Sequence, residues 1–259
     1  MERHKTVLFP WRAGYLGSLN LPNRTRLGQS ARGRTSTVAM VKSIGLLVRR
    51  PDLDAAGFRA HYEQNHAPLA TRLLGFPGYQ RNYPGSDAAR AELGFDGFSE
   101  FWFQDNAQIA EIGALMQGDI GDVLREDELR FMTPPVNQSY GVHERLYGTR
   151  PAPGEAVRAI SVVRLPPGMP PPQADRSLDL HATRVRERDL PGVIAALHMV
   201  PVREVTPLPE GALGVECVES LWLASREAMA ECNAWRSEQG EAPLWEVEES
   251  GTPVLAWPY

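Results

Sequence analysis

The chain has 259 residues, of which 42% are apolar and 23% charged, a composition typical of a soluble protein that buries a core. Seven Lys and Arg residues stand against one acid before position 41, so the remainder holds 20 basic and 31 acidic residues, a formal charge of −11. The negative charge of residues 41–259 argues against nucleic acid or an anionic membrane as partner. The chain contains no run of 18 uncharged apolar residues, so we expect no membrane-spanning helix.

Residues 1–40 lack sustained periodicity, and we interpret them as a disordered extension or an over-long gene prediction, with Met40 close to the natural start. From residue 41 onward, apolar and aromatic runs predict strands at 41–49, 79–83, 97–104 and 136–147, and helical patterns follow the first and third strands. Asp52 or Asp54 caps the first helix, which ends at Gly75, and a loop joins the second and third strands. The order strand, helix, strand, strand, helix, strand is that of a ferredoxin-like βαββαβ unit.

The first helix carries a titratable imidazole within its apolar stripe. Helical spacing places five residues on one face, namely Phe58, Tyr62, His66, Leu69 and Leu73. Pro68 lacks a backbone N–H, so we expect the helix to kink or restart there, with Asn65 capping the restarted segment. A histidine on an apolar face is either a hydrogen-bonded core residue or a catalytic group, and the expected helix break at Pro68 favours the catalytic role.

The same order of elements occurs again after residue 150. Strand patterns at 156–165, 193–205, 216–223 and 254–257 and helical patterns at 178–189 and 226–235 follow the first set. Trp102 and Trp222 fall at equivalent points of the third strand in each set. We therefore predict an internal duplication, with units at residues 41–150 and 151–259. Because each sheet has helices on one face only, the bare faces can be buried together, which predicts an α+β pseudo-dimer.

The first unit resembles the EthD family of the dimeric α+β barrel superfamily. Four pieces carry the resemblance: VKSIGLLVRRPDLDAAGFRAHYEQNHAPLA at 41–70, PGYQRNY at 77–83, FDGFSEFWF at 95–103 and DEL at 127–129. It covers about residues 41–147, while the second unit keeps only the general layout. The resemblance implies a barrel of tandem ferredoxin-like units and a small-molecule pocket between a sheet and its helices. It leaves the reaction open, since the superfamily includes cofactor-free monooxygenases, polyketide cyclases, isomerases and haem enzymes.

The candidate catalytic residues are His66, Tyr62 and Glu100. An unperturbed imidazole titrates near pH ~6.5, so His66 can donate or accept a proton near neutral pH. Glu100 lies between two aromatic residues on one face of the third strand and is therefore not expected to be an unpaired ion. Three roles stay open for it: it orients the imidazole, it acts as a base with a raised pKa, or it pairs with Arg49 or Arg81.

The candidate substrate-binding residues are Tyr79, Tyr83, Phe98, Trp102 and His143. Alternation along the third strand places Phe98 and Trp102 on the same face as Glu100, while Ser99 faces the other way. No Cys/His cluster or HExxH motif is present, so we expect no metal. We also expect no cofactor, although haem ligation through His66 or His181 stays open.

These residues predict a cofactor-independent enzyme acting on a small aromatic or polyketide-like molecule. His66 would move the proton while Tyr62 or Tyr79 holds a carbonyl or phenol oxygen, giving decarboxylation, dehydration or cyclisation. Two alternatives stay open: an oxidoreductase, either a cofactor-free monooxygenase or a partner of a cytochrome system, and a non-catalytic ligand-binding protein. Two cysteines are too few for a disulfide scaffold, so we expect a cytoplasmic protein, and further pairing into a homodimer stays open.

Overall fold

The structure is a computed structural model that describes residues 41–133, 138–152, 154–164, 190, 192–201, 215 and 217–252. Its strands are β1 (Val41–Leu47), β2 (Gly78–Pro84), β3 (Gly97–Phe103), β4 (Gln138–Gly148), β5 (Val157–Val163), β6 (Val193–Pro201), β7 (Cys217–Leu223) and β8 (Trp245–Thr252). Its helices are α1 (Ala55–His61), α2 (Ala67–Leu74), α3 (Asp87–Leu93), α4 (Asn106–Leu115), α5 (Asp119–Glu128) and α6 (Arg226–Glu238). Within the described ranges, no helix is both long and apolar enough to span a membrane.

The eight strands form a closed antiparallel barrel. Neighbouring strands follow the order β4-β1-β3-β2-β8-β5-β7-β6, and β6 pairs again with β4. The first four strands in this order and the last four have the same arrangement, which confirms the predicted α+β fold of two ferredoxin-like units in a dimeric α+β barrel. Because β2 pairs with β8 and β4 with β6, the two sheets join at both edges and enclose one shared interior.

The strand registers relate the two units residue by residue. Trp102 lies opposite Lys42, and Trp222 lies opposite Arg158, so the tryptophans occupy equivalent positions as the sequence predicts. The last strand differs from the prediction. It is formed by Trp245–Thr252, a segment rich in glutamate, and the predicted residues 254–257 lie outside the described part of the chain, as do residues 1–40 and the helix at 178–189.

The first helix is interrupted by a π-helical turn at Tyr62–His66, and α2 begins at Ala67, so the helix restarts next to Pro68 as one of the two expectations had it. In this turn the Ala67 N–H donates to the Tyr62 carbonyl, five residues back. The expected Asn65 cap is not formed, because His66, the residue before α2, keeps helical backbone angles and no side chain caps the segment. Pro68 lies in the first turn of α2.

The π turn also changes which residues are buried. An extra residue in one turn rotates the following side chains, so the buried face continues through Ala67 and Ala70. Leu69 and Leu73, which the helical spacing places on that face, are only partly buried. The predicted apolar stripe is therefore fully buried up to His66, and Leu69 and Leu73 still pack against the same cluster at its edge, because the π turn shifts the helical spacing after His66.

Local sequence signals set the ends of the helices. Asp54 accepts a hydrogen bond from the Gly57 N–H, and Gly75 ends α2 with a φ of 63°. The predicted loop between β2 and β3 contains a helix, α3, which Ser86 caps by accepting from the Ala89 N–H. The sequence pattern missed α3 because it is only seven residues long. Ala89 and Leu93 of α3 join the apolar cluster inside the barrel.

Strand alternation creates separate cores inside and outside the barrel. The interior cluster draws on strands of both units and includes Ile44, Leu46, Phe98, Val142, Ile160, Val162, Leu197, Met199, Val218 and Trp222. A second cluster packs the first sheet against α1, the π turn, α2, α4 and α5, and includes Leu47, Phe58, Tyr62, Ala67, Ala70, Tyr79, Tyr83, Phe103, Ile109, Ile112, Met116, Leu124 and Phe131. A smaller cluster packs α6 on the second sheet.

Candidate functional site

The two faces of the first sheet divide the candidate residues into two groups. Four lie outside the barrel, between the first sheet and the helices that pack on it: His66, Tyr62, Tyr79 and Tyr83. Three lie inside it: Phe98, Glu100 and Trp102. The single pocket expected for all of them is therefore not formed. Ser99, and not Glu100, faces the helices, because successive side chains of a strand point to opposite faces.

Asp127, near the end of α5, binds two imidazoles. Its Oδ2 lies 3.0 Å from His66 Nδ1, and its Oδ1 lies 3.0 Å from His61 Nε2. The hydrogen bond from His66, together with that from His61, holds the pKa of Asp127 below its usual value although partial burial opposes this. Because Nδ1 of His66 donates to the carboxylate, Nε2 is the basic nitrogen of that ring.

The His66 ring is largely buried among aromatic rings. Its centroid is 5.5 Å from the Tyr62 ring and 5.1 Å from the Phe131 ring, and Phe131 also stacks on His61. The His66 side chain is 8% exposed, and no described residue forms a hydrogen bond with its Nε2. The ring is therefore neither turned to bulk solvent nor bonded to a backbone carbonyl.

A chain of hydroxyl groups lies beside the imidazole. The Tyr62 hydroxyl is 2.5 Å from the Tyr79 hydroxyl and 2.6 Å from Ser99 Oγ. Burial raises the pKa of Tyr62 to about 12 and raises the pKa of Tyr79 well above its usual value. Both phenols stay protonated near neutral pH, so they can donate hydrogen bonds but cannot serve as bases.

Tyr83, the third predicted phenol, belongs to a different set of contacts. Its hydroxyl donates to Glu63 Oε1 at 2.5 Å, and its ring packs edge-on against Tyr62 at a centroid distance of 6.3 Å. Burial, followed by the hydrogen bond to Glu63, raises the pKa of Tyr83 far above its usual value. Tyr83 therefore supports the π turn and does not present a free hydroxyl to a ligand.

Glu100 is the centre of a buried ionic network inside the barrel. Its Oε2 lies 2.6 Å from Lys42 Nζ, and its Oε1 lies 2.8 Å from Arg158 Nη2. Burial alone would raise the pKa of Glu100, but the charges of Arg158 and Lys42 hold it well below its usual value. This corrects all three expected roles, since Glu100 neither orients the imidazole nor has a raised pKa, and its partners are not Arg49 or Arg81.

Trp102 and Phe98 are also interior residues and do not line the His66 site. Lys42 Nζ lies 4.7 Å from the centre of the Trp102 ring, and the Arg150 guanidinium lies between Trp102 and Trp222, 6.0 Å and 5.1 Å from their centres. Phe98 belongs to the apolar cluster inside the barrel. Charged side chains and aromatic rings thus fill this part of the interior.

Several residues of the site were missed by sequence reasoning. Asp127 lies in the DEL piece of the family resemblance, and Ser99 was placed on the correct face without a role. His61 lies five residues before His66, a spacing that does not suit a metal pair, but the Asp127 carboxylate joins the two rings. For His143, in β4, the backbone pairs with Val200, and its side chain lies outside the described part of the chain.

The donor groups of the described residues do not suggest a metal centre. No group of three or more His, Cys, Asp or Glu side chains in the described ranges is arranged to hold a metal ion. The chemistry available at the site is therefore that of a carboxylate-oriented imidazole beside phenol and serine hydroxyls.

Comparison with known proteins supports the predicted family of the first unit. Residues 50–135 match the family model of the EthD domain. A solved EthD family protein from Bacillus halodurans C-125 is 25% identical over 39% of this chain and 95% of that protein, with a TM-score of 0.29. No curated protein sequence matches the chain.

Two further solved structures match most of the chain. An anthrone oxidase-like protein is 10% identical over 85% of this chain and 96% of that one, with a TM-score of 0.49. A mutant chlorite dismutase from Candidatus Nitrospira defluvii is 9% identical over 81% of this chain and 90% of that one, with a TM-score of 0.42. At these identities and TM-scores, neither similarity supports a conclusion about activity.

Proposed function

Because the chain contains an EthD domain over residues 50–135, we propose that it is an enzyme that transfers a proton through His66 on a small aromatic or polyketide-like substrate. The reaction class is that of a lyase or cyclase, in which a proton moves at a carbon next to a carbonyl group. Decarboxylation, dehydration and cyclisation all require such a transfer and need a positioned acid–base group.

One observation carries the proposal: Asp127 accepts a hydrogen bond from His66 Nδ1 at 3.0 Å. This bond fixes the tautomer and the orientation of the ring, so that Nε2 can take a proton from a substrate and return it. The Asp127 carboxylate also stabilises the imidazolium that forms during the transfer.

The surrounding backbone supports the same assignment. π-Helical turns are rare and occur frequently at functional sites, and Tyr62 and His66 stand at the two ends of this one. Their side chains lie on the same side of the helix, with ring centroids 5.5 Å apart. A substrate oxygen that displaces Tyr79 or Ser99 from the Tyr62 hydroxyl would be held next to the imidazole.

Aromatic side chains beside the hydroxyl chain favour a flat, apolar substrate. Tyr79 stacks on Phe101 at a centroid distance of 4.6 Å, and Phe76 packs against both. Phe76 and Phe101 are only partly buried, so their exposed faces can bind an aromatic ring.

The experiment compares the wild-type chain with His66→Asn on a panel of aryl β-keto acids and aryl β-hydroxyketones, followed by carbon dioxide release and by loss of water in mass spectrometry. Asparagine can keep an N–H toward Asp127 while removing Nε2, so we expect turnover to fall by about 10²–10⁴-fold. The matched control is His198→Gln, because His198 is a buried histidine that contacts a carboxylate, Glu219, in the second unit.

Full turnover by folded His66→Asn would contradict the assignment of His66 as the group that transfers the proton. Oxygen consumption by the wild-type chain with the same panel, in place of carbon dioxide or water release, would assign the protein to the oxidoreductases instead.

A further inference from the structure

Glu63, three residues before His66 on the π turn, accepts four hydrogen bonds. Arg81 donates two of them, from Nε to Oε1 at 3.1 Å and from Nη2 to Oε2 at 2.7 Å. Tyr83 donates a third at 2.5 Å, and Ser250 donates a fourth from Oγ to Oε2 at 2.9 Å. Burial alone would raise the pKa of Glu63, but these donors hold it below its usual value. The carboxylate is therefore ionised and fixed in position.

One of these donors comes from the other unit of the barrel. Ser250 belongs to β8, where it lies opposite Arg81 across the seam between the two sheets. Two residues earlier on the same strand, Glu248 forms an ion pair with Arg59 of α1. Strand β8 thus contacts the helix that carries His66 at two successive outward-facing positions.

A glycine of β8 makes room for this arrangement. Gly251 has a φ of 93°, and a Cβ atom there would lie 2.4 Å from Arg81 Nη1 and 2.4 Å from the Tyr79 carbonyl oxygen. Arg81 Nη1 also donates to that carbonyl at 3.0 Å. A side chain at position 251 would push the Arg81 guanidinium away from both Tyr79 and Glu63.

The π turn needs such external support because its backbone hydrogen bonds are less favourable than those of an α-helix. If the turn were to relax, the side chains after it would rotate relative to those before it. His66, the last residue of the turn, would then lose its alignment with Asp127, which lies on a different helix, α5.

We propose that β8 of the second unit is a positioning element of the His66 site, acting through Glu63 and Arg81. The effect of β8 on turnover rests on the proposed function, but its effect on the orientation of the His66 ring can be measured separately. Ser250 and Gly251 are positioning residues that do not touch the imidazole. The second unit therefore serves the chemistry of the first, even though it retains only the layout of the family.

The test follows the His66 ring by long-range ¹H–¹⁵N spectra of the full chain labelled at histidine, with the His66 signals assigned by their loss in His66→Asn. We expect Gly251→Ala to replace the single Nδ1–H tautomer by a mixture of tautomers. The matched control is Gly240→Ala, because Gly240 also has a positive φ, 69°, but its Cβ would meet nothing within 4 Å. This control adds a side chain at another glycine of positive φ without a close contact and should leave the His66 signals unchanged.

Two milder variants keep the test decisive if Gly251→Ala does not fold. Glu63→Gln retains the shape of the side chain and removes its charge, and Ser250→Ala removes only the contribution of β8. Glu126→Gln, an exposed carboxylate of α5, is the control. We expect both test variants to disturb the tautomer and to lower turnover on the aryl panel by up to about 10²-fold, the cost of a small misplacement.

A wild-type tautomer pattern in folded Glu63→Gln and Ser250→Ala would overturn the proposal. If those variants disturb the tautomer while His66→Asn retains full turnover, the positioning role of β8 is upheld and the proposed function fails.

Discussion

Lys42 and Arg158 occupy the same position in the two units of the barrel, and both contact the carboxylate of Glu100. The position equivalent to Glu100 in the second unit is Ser220, to which Arg158 donates at 2.8 Å. Glu100 therefore binds one buried cation from each unit, while Glu144 also pairs with Lys42 and Glu249 also pairs with Arg158. This arrangement joins the halves of the barrel by charge as well as by strand pairing.

Removing the charge of Glu100 should destabilise the whole barrel. Glu100→Gln removes the fully buried carboxylate that Lys42 and Arg158 share, while Glu144 still pairs with Lys42 and Glu249 still pairs with Arg158. Because each cation keeps one acidic partner, we expect the free energy of unfolding to fall by about 1–3 kcal/mol, measured by urea unfolding. Glu111→Gln on the exposed side of α4 is the control. A change below about 1 kcal/mol would show that other groups of the network neutralise the two cations.

Acid should weaken the protein through the same residue. Because the pKa of Glu100 is lower in the folded state than its ordinary value of 4.5, the unfolded chain takes up a proton first as the pH falls. The stabilisation is complete above that ordinary value and is lost below it. We expect urea unfolding between about pH 5 and pH 3 to show a steep loss of stability in the wild type and a shallower one in Glu100→Gln. Equal slopes would contradict the assignment.

The orientation of His66 by Asp127 predicts a specific defect. Asp127→Asn can present an N–H to Nδ1 and so favours the opposite tautomer, with the proton on Nε2. Turnover on the aryl panel should fall by about 10²–10⁴-fold, while thermal unfolding confirms that the variant is folded. Asp122→Asn, exposed on the same helix, should keep full turnover. Full turnover by Asp127→Asn would show that the Asp127 carboxylate does not take part in the reaction.

The hydroxyl chain should contribute to stability. Tyr62→Phe removes the central hydroxyl and leaves the Tyr79 hydroxyl and Ser99 Oγ without their partner in a buried site. We expect a loss of about 1–3 kcal/mol in urea unfolding. Tyr147→Phe provides the comparison, because the Tyr147 hydroxyl forms no hydrogen bond with a described residue. Equal losses in the two variants would mean that the hydroxyl groups of Tyr79 and Ser99 find other hydrogen-bond partners.

Two glycines of neighbouring helices should respond in opposite directions to the same substitution. A Cβ at Gly121 in α5 would lie 2.1 Å from the Met116 carbonyl oxygen, so Gly121→Ala should cost about 3 kcal/mol. A Cβ at Gly113 in α4 would meet nothing within 4 Å, so Gly113→Ala should stabilise the protein by about 0.5–1 kcal/mol. Urea unfolding measures both. Destabilisation by Gly113→Ala would indicate that the helix has no room there.

Local patterns were sufficient for most of the strands, for the start of α1 and for the end of α2. The caps at Asp54 and Gly75 follow from local hydrogen bonding and from the freedom of glycine, which depend only on neighbouring residues. The π turn at Tyr62–His66 could not be predicted in the same way, because it is stabilised by Glu63 contacting β2 and β8, which lie far away in the sequence.

The order of the strands in both units, the EthD resemblance of the first unit and the residues that share a face of each strand could all be predicted from the sequence. The three-dimensional fold was needed to show that His66 and Glu100 lie on opposite sides of the sheet and that Asp127 binds the imidazole. The physical reason is that alternation identifies two faces without telling which one the helices cover when both are buried. Closure of the barrel buries the second face and so decides between them.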